Sequence, residues 1–280
     1  RRSQTDMPDT TPIITLMTDF GEQDTYVGAM KGVILSICPE AKMIDLTHRI
    51  PAQDICAAAL QLSSIYAYFP PETIHLIVVD PGVGSQRRAI ICQVENHTFV
   101  CPDNGLLTLV VQQAPIEASV AIQNKTYFLP QVSHTFHGRD IFAPVAAHLA
   151  NGIPMSEFGP LVTDLRHLQL AKPDISESQI KGEIIWIDHF GNAITNIGHQ
   201  QLQIIDPELK LQINFRDQQI SRLSESYSTV PVGTTLALIS SFDYLEISVN
   251  QGSASQICNL SLGDSVLVQP IIATTTTTRR

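Results

Sequence analysis

The sequence predicts an α/β protein: an N-terminal, mainly parallel α/β sandwich domain followed by a smaller antiparallel β-barrel-like domain. Three observations predict it. From Ile13 to Val79, strand-like apolar runs alternate with helix-like runs. Beyond residue 179, short strand-like runs follow one another at fairly regular spacing with no long helical period. The chain has 280 residues, 44% of them apolar, which suits two cores better than one.

Ile13 to Met17 is a β-branched, apolar run that meets Thr18-Asp19-Phe20-Gly21, a strand-to-loop transition. Asp24 to Cys38 carries Val27, Met30, Ile34 and Ile37 at helical spacing, and Pro39 ends it. Lys42 to Leu46 is a short strand. Pro51 to Phe69 is an Ala- and Leu-rich helix stopped by Pro70-Pro71. Thr73 to Val79 is a nearly continuous apolar run around His75, the pattern of a strand buried on both faces. Strand, helix, strand, helix, strand predicts a mainly parallel sheet with helices on both sides. Arg88–Val94 and Thr98–Cys101 read as a hairpin around Asn96-His97, and Asn104–Gln112 as a short helix. Arg139–Ala150 is an alanine-rich helix closed by Asn151-Gly152, with glycine in the left-handed capping position.

A linker near Lys172–Ser178 divides the chain into domains spanning 12–174 and 179–271. The second contains strands at Gly182–Ile187, Ala193–Ile197, Leu211–Phe215, Thr234–Ile239, Tyr244–Val249 and Ser265–Gln269. Turn residues separate them, as in a small barrel or sandwich.

The composition narrows the function. Lys and Arg total 17 against 27 Asp and Glu, a net charge of -10. That excludes a nucleic-acid partner, which needs a basic surface. Five cysteines, at 38, 56, 92, 101 and 258, include no Cys-x-x-Cys pair, against a disulfide framework or zinc site. Cys38, Cys56 and Cys92 lie in apolar runs and read as buried small hydrophobes, consistent with a reducing cytosol. No apolar run reaches the length of a membrane span. The polar start, Arg1–Thr11, lacks the apolar stretch of a signal peptide, and Ala273–Arg280 reads as a loose Thr-rich tail. The expectation is a soluble, cytoplasmic enzyme with a small-molecule substrate and no membrane partner. Walker-type Gly-Lys-Ser/Thr and Gly-x-Gly-x-x-Gly are both absent, and no His/Asp/Glu spacing resembles a metal site.

In a parallel sheet, ligands gather at the carboxyl ends of strands. Asp19 and Asp80 both fall there. Asp19 is placed to accept hydrogen bonds from a diol, or to cap the next helix, a role that Asp24 fits even better. Asp80 ends the most hydrophobic strand, and Pro81-Gly82-Val83-Gly84 force a tight loop leading to Arg87 and Arg88. An Asp80–Arg87 ion pair across that loop is either a preorganised cleft element or an ordinary loop salt bridge. His137, in Phe136-His137-Gly138-Arg139-Asp140, precedes a helix and is either a water-orienting group or a surface histidine. Asp188-His189-Phe190-Gly191-Asn192 lies on the first hairpin of the second domain, where Phe190 equally suits a core. Ser240–Glu246, running on to Asn250, is the last candidate segment, and Glu246 joins the substrate-binding set from it.

In this order, Thr18–Asp24, Lys31-Gly32, Val79–Arg87, Phe136–Phe142, Asp188–Ile197 and Ser241–Asn250 resemble the S-adenosyl-L-methionine hydroxide adenosyltransferases. These are water-using relatives of the fluorinase and chlorinase. The resemblance runs from about Ile13 to Gln269. It implies an α/β domain, a barrel-like domain, and a homotrimer with active sites between subunits. It also implies hydrolysis of S-adenosyl-L-methionine at C5′ to adenosine and L-methionine, without a metal or other cofactor. Asp80, Arg87 and His137 match the triad that handles water. Asp19 matches the carboxylate on the ribose hydroxyls, and Asp24 and Asp188 match carboxylates near the methionine amino group. Phe190 matches an aromatic wall, Asn192 an amide reading adenine, and Ser241 a serine at the methionine end. Asn250 and Gln251 fall where backbone groups contact adenine. The fluorinase has tyrosine at Asp80 and serine at Gly138, and a carboxylate beside the path repels halide. Its arginine after the methionine-site serine is replaced by Phe242. The alternatives are an S-adenosylmethionine-dependent chlorinase and a non-catalytic protein that binds S-adenosylmethionine or adenosine.

Overall fold

The structure is a computed structural model and describes residues 11–208 and 210–271. The polar start up to residue 10 and the Thr-rich segment from Ala273 lie outside the described residues. Two units separate between Gln169 and Leu170.

The first unit is built on β1 (Ile13–Thr18), α1 (Tyr26–Ile37), β2 (Lys42–Thr47), α2 (Ile55–Ile65) and β3 (Ile74–Val78). It continues with β4 (Ala89–Val94), β5 (His97–Pro102), α3 (Thr108–Gln113), β6 (Ile116–Ala121) and α4 (Ala143–Ala150). The strand order is β2-β1-β3-β5-β4-β6. The β2–β1, β1–β3 and β3–β5 pairs are parallel, while β4 runs antiparallel to both neighbours. All five residues of β3 are buried, as its unbroken apolar run requires. Ile14, Leu16, Leu76 and Val78 pack with α1 and α4 on one face. Tyr66, just beyond α2, packs against His75, His97 and Phe99.

Local chemistry moves several boundaries. The β4–β5 turn is Glu95-Asn96, one residue before the expected place, because both residues adopt positive φ, 48° and 63°, as a tight hairpin turn needs. The helix expected from Asn104 starts only at Thr108. Asn104 is instead a loop clamp: its Nδ2 donates to the Val79 carbonyl at 2.9 Å, and Gly105 takes φ +95°. The helix from Pro51 starts at Ile55, where Asp54 accepts the Ala57 amide at 2.9 Å. Neither Asp19 nor Asp24 caps α1, whose N-cap is Thr25 without a side-chain bond. Four cysteines are buried, but Cys56 is exposed, because α2 turns Ala57, Ala58, Ala59 and Leu62 inward.

The second unit contains β7 (Asp174–Ile175), β8 (Ile180–Ile187), β9 (Ala193–Gly198), α5 (His199–Ile205), β10 (Leu211–Phe215) and β11 (Gln218–Ile220). β12 (Thr235–Ile239), β13 (Tyr244–Val249), α6 (Ala254–Ile257) and β14 (Ser265–Pro270) follow. The antiparallel order is β11-β10-β14-β8-β9-β13-β12, with β7 paired to β8 inside the stretch expected as linker. A bridge from Leu223 to Ala237 brings the ends together into a nearly closed barrel. Its core is aliphatic, from Ile180 and Ile184 through Ile213 and Phe215 to Val266 and Val268. Among the described residues, no helix is long and apolar enough to cross a membrane.

Candidate active site

The carboxyl end of β3 delivers Asp80 into a loop that folds back on itself. Val83 N–H donates to the Asp80 carbonyl at 3.2 Å, and Ser85 N–H and Oγ both donate to the Gly82 carbonyl. The reversal returns Arg87 to Asp80. Arg87 Nε donates to both carboxylate oxygens at 2.9 Å, and Nη2 adds a further bond to Oδ2. The two side chains are only 7% and 5% exposed, so this is a largely desolvated pair rather than a surface salt bridge. Arg87 also lies over the Phe142 ring at 5.1 Å.

His137 joins them. Arg87 Nη2 donates to His137 Nδ1 at 3.0 Å. A guanidinium has only donors, so Nδ1 must be the acceptor and the neutral ring carries its proton on Nε2. Burial, and next the Arg87 charge, lower the His137 pKa, which keeps the ring neutral near pH 7. His137 thus offers Nε2–H as a donor, and the Asp80 carboxylate is the acceptor of the group. Proton relay through His137 does not fit this tautomer.

The chain around His137 is held by a π-helical turn, Gly138–Phe142, that leads into α4. Asp140 is fully buried inside it and accepts the Ser133 amide at 2.8 Å. Burial alone would raise its pKa, but Arg139 and the Ser133 amide hold the carboxyl below the usual range. Gly138 is hemmed in: a Cβ there would meet Met30 Sδ and Phe136 Cε2 at 3.3 Å and Phe20 Cζ at 3.4 Å.

Gly84 ties the two loops together. Its φ is +76°, and a Cβ would stand 2.4 Å from the His134 carbonyl oxygen. Gly84→Ala must push the Asp80 loop away from the His137 loop. We expect turnover to fall about 10–100-fold, since misplacement near 1 Å costs on that order, and the melting temperature to drop with it. Steady-state kinetics and a thermal melt check this, and unchanged turnover would refute the coupling of the two loops.

Asp19 follows β1, and its Oδ2 accepts the Gln53 amide at 2.7 Å, leaving Oδ1 without a partner among the described residues. Asp24 is exposed. In the second unit, Asp188 Oδ1 accepts the amides of Phe190 and Asn192, both at 2.9 Å, and Oδ2 accepts Asn192 Nδ2 at 2.9 Å. The turn depends on Gly191 (φ +83°), where a Cβ would collide with Ser253. Phe190 is 73% exposed, so it is no core residue.

Glu246 is buried and accepts Tyr227 OH at 2.8 Å and Ser248 Oγ at 2.6 Å. Burial raises its pKa, and Asp188 adds to the rise, against the two hydroxyl bonds. Tyr227 had no signal in the sequence, since it lies on an isolated single turn. Ser248 was signalled only by its alternation with Glu246 along β13. Ser241 and Gln251 are exposed on turns. The Asn250 side chain donates to the Val230 carbonyl at 2.7 Å, and its backbone N–H to that of Thr234. Among the described residues, no group of three or more His, Cys, Asp or Glu side chains is placed to hold a metal.

Known proteins resemble this chain over nearly its whole length. Residues 14–159 match the SAM hydroxide adenosyltransferase N-terminal domain, and residues 182–267 the C-terminal domain of the same family. The (R)-S-adenosyl-L-methionine hydrolase of Salinispora tropica is 34% identical, over 92% of this chain and 98% of that protein. The enzyme of the same name from Thermus thermophilus is 36% identical, over 89% and 96%. A fluorinase from an Actinoplanes species is more distant, 26% identical over 92% and 97%. The crystal structure of an uncharacterized conserved protein from Thermotoga maritima superposes with a TM-score of 0.86 at 35% identity, covering 91% of this chain and 99% of that one.

Proposed function

The chain belongs to the SAM hydroxide adenosyltransferase family, and from that premise we propose that its Asp80–Arg87–His137 array delivers water to C5′ of the substrate ribose. The reaction is hydrolysis of S-adenosyl-L-methionine to adenosine and L-methionine, and relatives across nearly the whole chain are named hydrolases of this substrate.

The observation that carries the mechanism is the complementary polarity of the array. Asp80 supplies an acceptor and His137 a neutral N–H donor, with Arg87 bonded to both. While His137 Nε2–H, on the far side of the ring from Arg87, is a separate donor, a water molecule donates to Asp80 where Arg87 holds the carboxylate in place. That fixes its lone pair toward the substrate. Positioning of this kind contributes up to roughly 7–11 kcal/mol in ideal cases. As the C5′–O bond forms, the C5′–S bond breaks and the sulfonium leaves as a neutral thioether. The water proton passes to Asp80. The leaving group needs no general acid, and the step needs no metal or redox cofactor.

Substrate placement completes the proposal. Asp19 Oδ1 accepts from the ribose diol, and Asn192 reads adenine beside the Phe190 wall. Asp24, Asp188, Glu246 and Ser241 attend the methionine end, and the backbone at Asn250 and Gln251 adenine. The enzyme is a cytosolic homotrimer whose sites lie between subunits. The free cysteines support the compartment, and sedimentation measures the assembly.

The test is a product assay in ¹⁸O-water with each sulfonium epimer supplied separately, because the relatives are named for the (R) form. We expect adenosine carrying one ¹⁸O. Unlabelled adenosine would sink attack at C5′. A 5′-chloro-nucleoside in chloride buffer would mark a halogenase, and tight binding without product a binding protein.

A further inference from the structure

Beneath Asp19 lies a second polar chain that the water-handling array does not use. Thr18 and His48 are both buried, 0% and 5% exposed. Thr18 Oγ1 meets His48 Nδ1 at 2.9 Å. His48 Nε2 lies 3.0 Å from Asp45 Oδ1, a close approach that does not meet the geometry of a hydrogen bond. The contact is electrostatic, and a carboxylate this close favours the ring proton on Nε2, which leaves Nδ1 to accept from Thr18 Oγ1. Asp45 Oδ2 in turn accepts Lys31 Nζ at 2.6 Å, so the chain runs from a half-exposed ion pair into the core.

The order Thr, His, Asp is that of a nucleophilic triad. Thr18 cannot act as one. Its hydroxyl is sealed from solvent and already accepts the Phe20 amide at 3.2 Å. What the chain holds is the backbone on either side of Asp19. His48 grips that loop a second time, through its carbonyl, which accepts the Gly21 amide at 2.8 Å. The same segment ends at Gln53, a non-glycine residue at φ +66°, whose amide fixes Asp19 Oδ2. Residues 18, 19, 20 and 21 are thus each tied to the His48–Gln53 segment or to Thr18, while Asp19 Oδ1 has no hydrogen-bond partner among the described residues.

We infer that His48, backed by Asp45 and Lys31, is a positioning residue that aims the free oxygen of Asp19 at the substrate diol. This rests on the reading of Asp19 as the ribose carboxylate. A merely structural His48 would weaken every ligand equally. A positioning His48 would weaken only those with a diol.

The experiment measures binding of adenosine and of 2′,3′-dideoxyadenosine to the full chain by calorimetry. In the wild type, adenosine should bind more tightly; equal affinities would refute the Asp19 reading itself, leaving the His48 contacts out of the question of diol binding. In His48→Ala, adenosine affinity should fall about tenfold with dideoxyadenosine affinity unchanged. His48→Asn, whose amide can still meet Thr18 Oγ1, should recover part of the loss. Asp45→Ala, at the half-exposed end, keeps the buried ring and should show the same selective loss to a smaller degree, several-fold, even where His48→Ala does not fold. Equal losses for both ligands, or no loss for either, in Asp45→Ala or in a folded His48→Ala would overturn the inference.

Discussion

Replacing Asp80 should lower turnover of S-adenosyl-L-methionine by about 10²–10⁴-fold, the usual contribution of a positioned proton acceptor, with little change in substrate affinity. The reasoning is by elimination within the array. Arg87 has no acceptor, and His137 Nδ1 is occupied by Arg87. Asp80 remains. Although Arg87 bonds both its oxygens, Oδ1 accepts from Nε alone and retains a lone pair for water. Alanine would also strand the Arg87 charge, at 7% exposure, without its partner. Breaking such a pair costs about 3–5 kcal/mol, so Asp80→Ala alone would confuse lost chemistry with lost folding. Asp80→Asn separates them, because the amide oxygen still accepts from Arg87 while the basic carboxylate is gone. Both variants should lose turnover, and Asp80→Asn should keep more of the melting temperature. A folded Asp80→Asn with near wild-type turnover would remove Asp80 from proton transfer.

The same residues show what a sequence can and cannot disclose here. The buried strand running into Asp-Pro-Gly-Val-Gly is legible because strand burial, glycine turns and the return of Arg87 are encoded within ten neighbouring positions. The barrel strands are legible for the same reason: alternation is local. His137 is different. Its pairing with Arg87 spans 50 residues, and only the family resemblance joined the two. The roles left open between capping and ligand binding at Asp19 and Asp24 needed φ/ψ at Thr25 and the position of Gln53, which come from tertiary packing. Tyr227 and His48 act through contacts set by the folded backbone, 19 residues from Glu246 and 30 from Thr18. No spacing rule marks them. Cys56 looks like its buried neighbours in composition, and only the rotation of α2 sets it outside.

His75 should make the protein acid-labile well above the range in which carboxylates titrate. It sits in β3 at 0% exposure, between Thr15 Oγ1 at 2.8 Å and His97 Nδ1 at 3.2 Å. Phe99 stacks on it at 5.0 Å, and Phe69 and Tyr66 stand edge-on. Burial, and next the neighbouring His97, push its pKa from 6.5 down to about 3. The folded value is depressed, so below pH 6.5 the unfolded chain binds a proton that the folded chain refuses. Stability therefore falls as pH drops from 6.5 to 3, by about 1.4 kcal/mol per unit, or roughly 5 kcal/mol across the window. Between pH 6.5 and 5 the share is about 2 kcal/mol, before ordinary carboxylates begin to protonate. Denaturant unfolding across that interval measures it. His75→Phe keeps the ring among its aromatic neighbours and removes the titration, so its stability should decline less steeply by that amount. Its stability at neutral pH should be lower, because Thr15 and His97 lose a partner in the core. An identical slope in wild type and variant would show that His75 does not carry the acid response, and would leave it to His97, whose pKa burial also lowers.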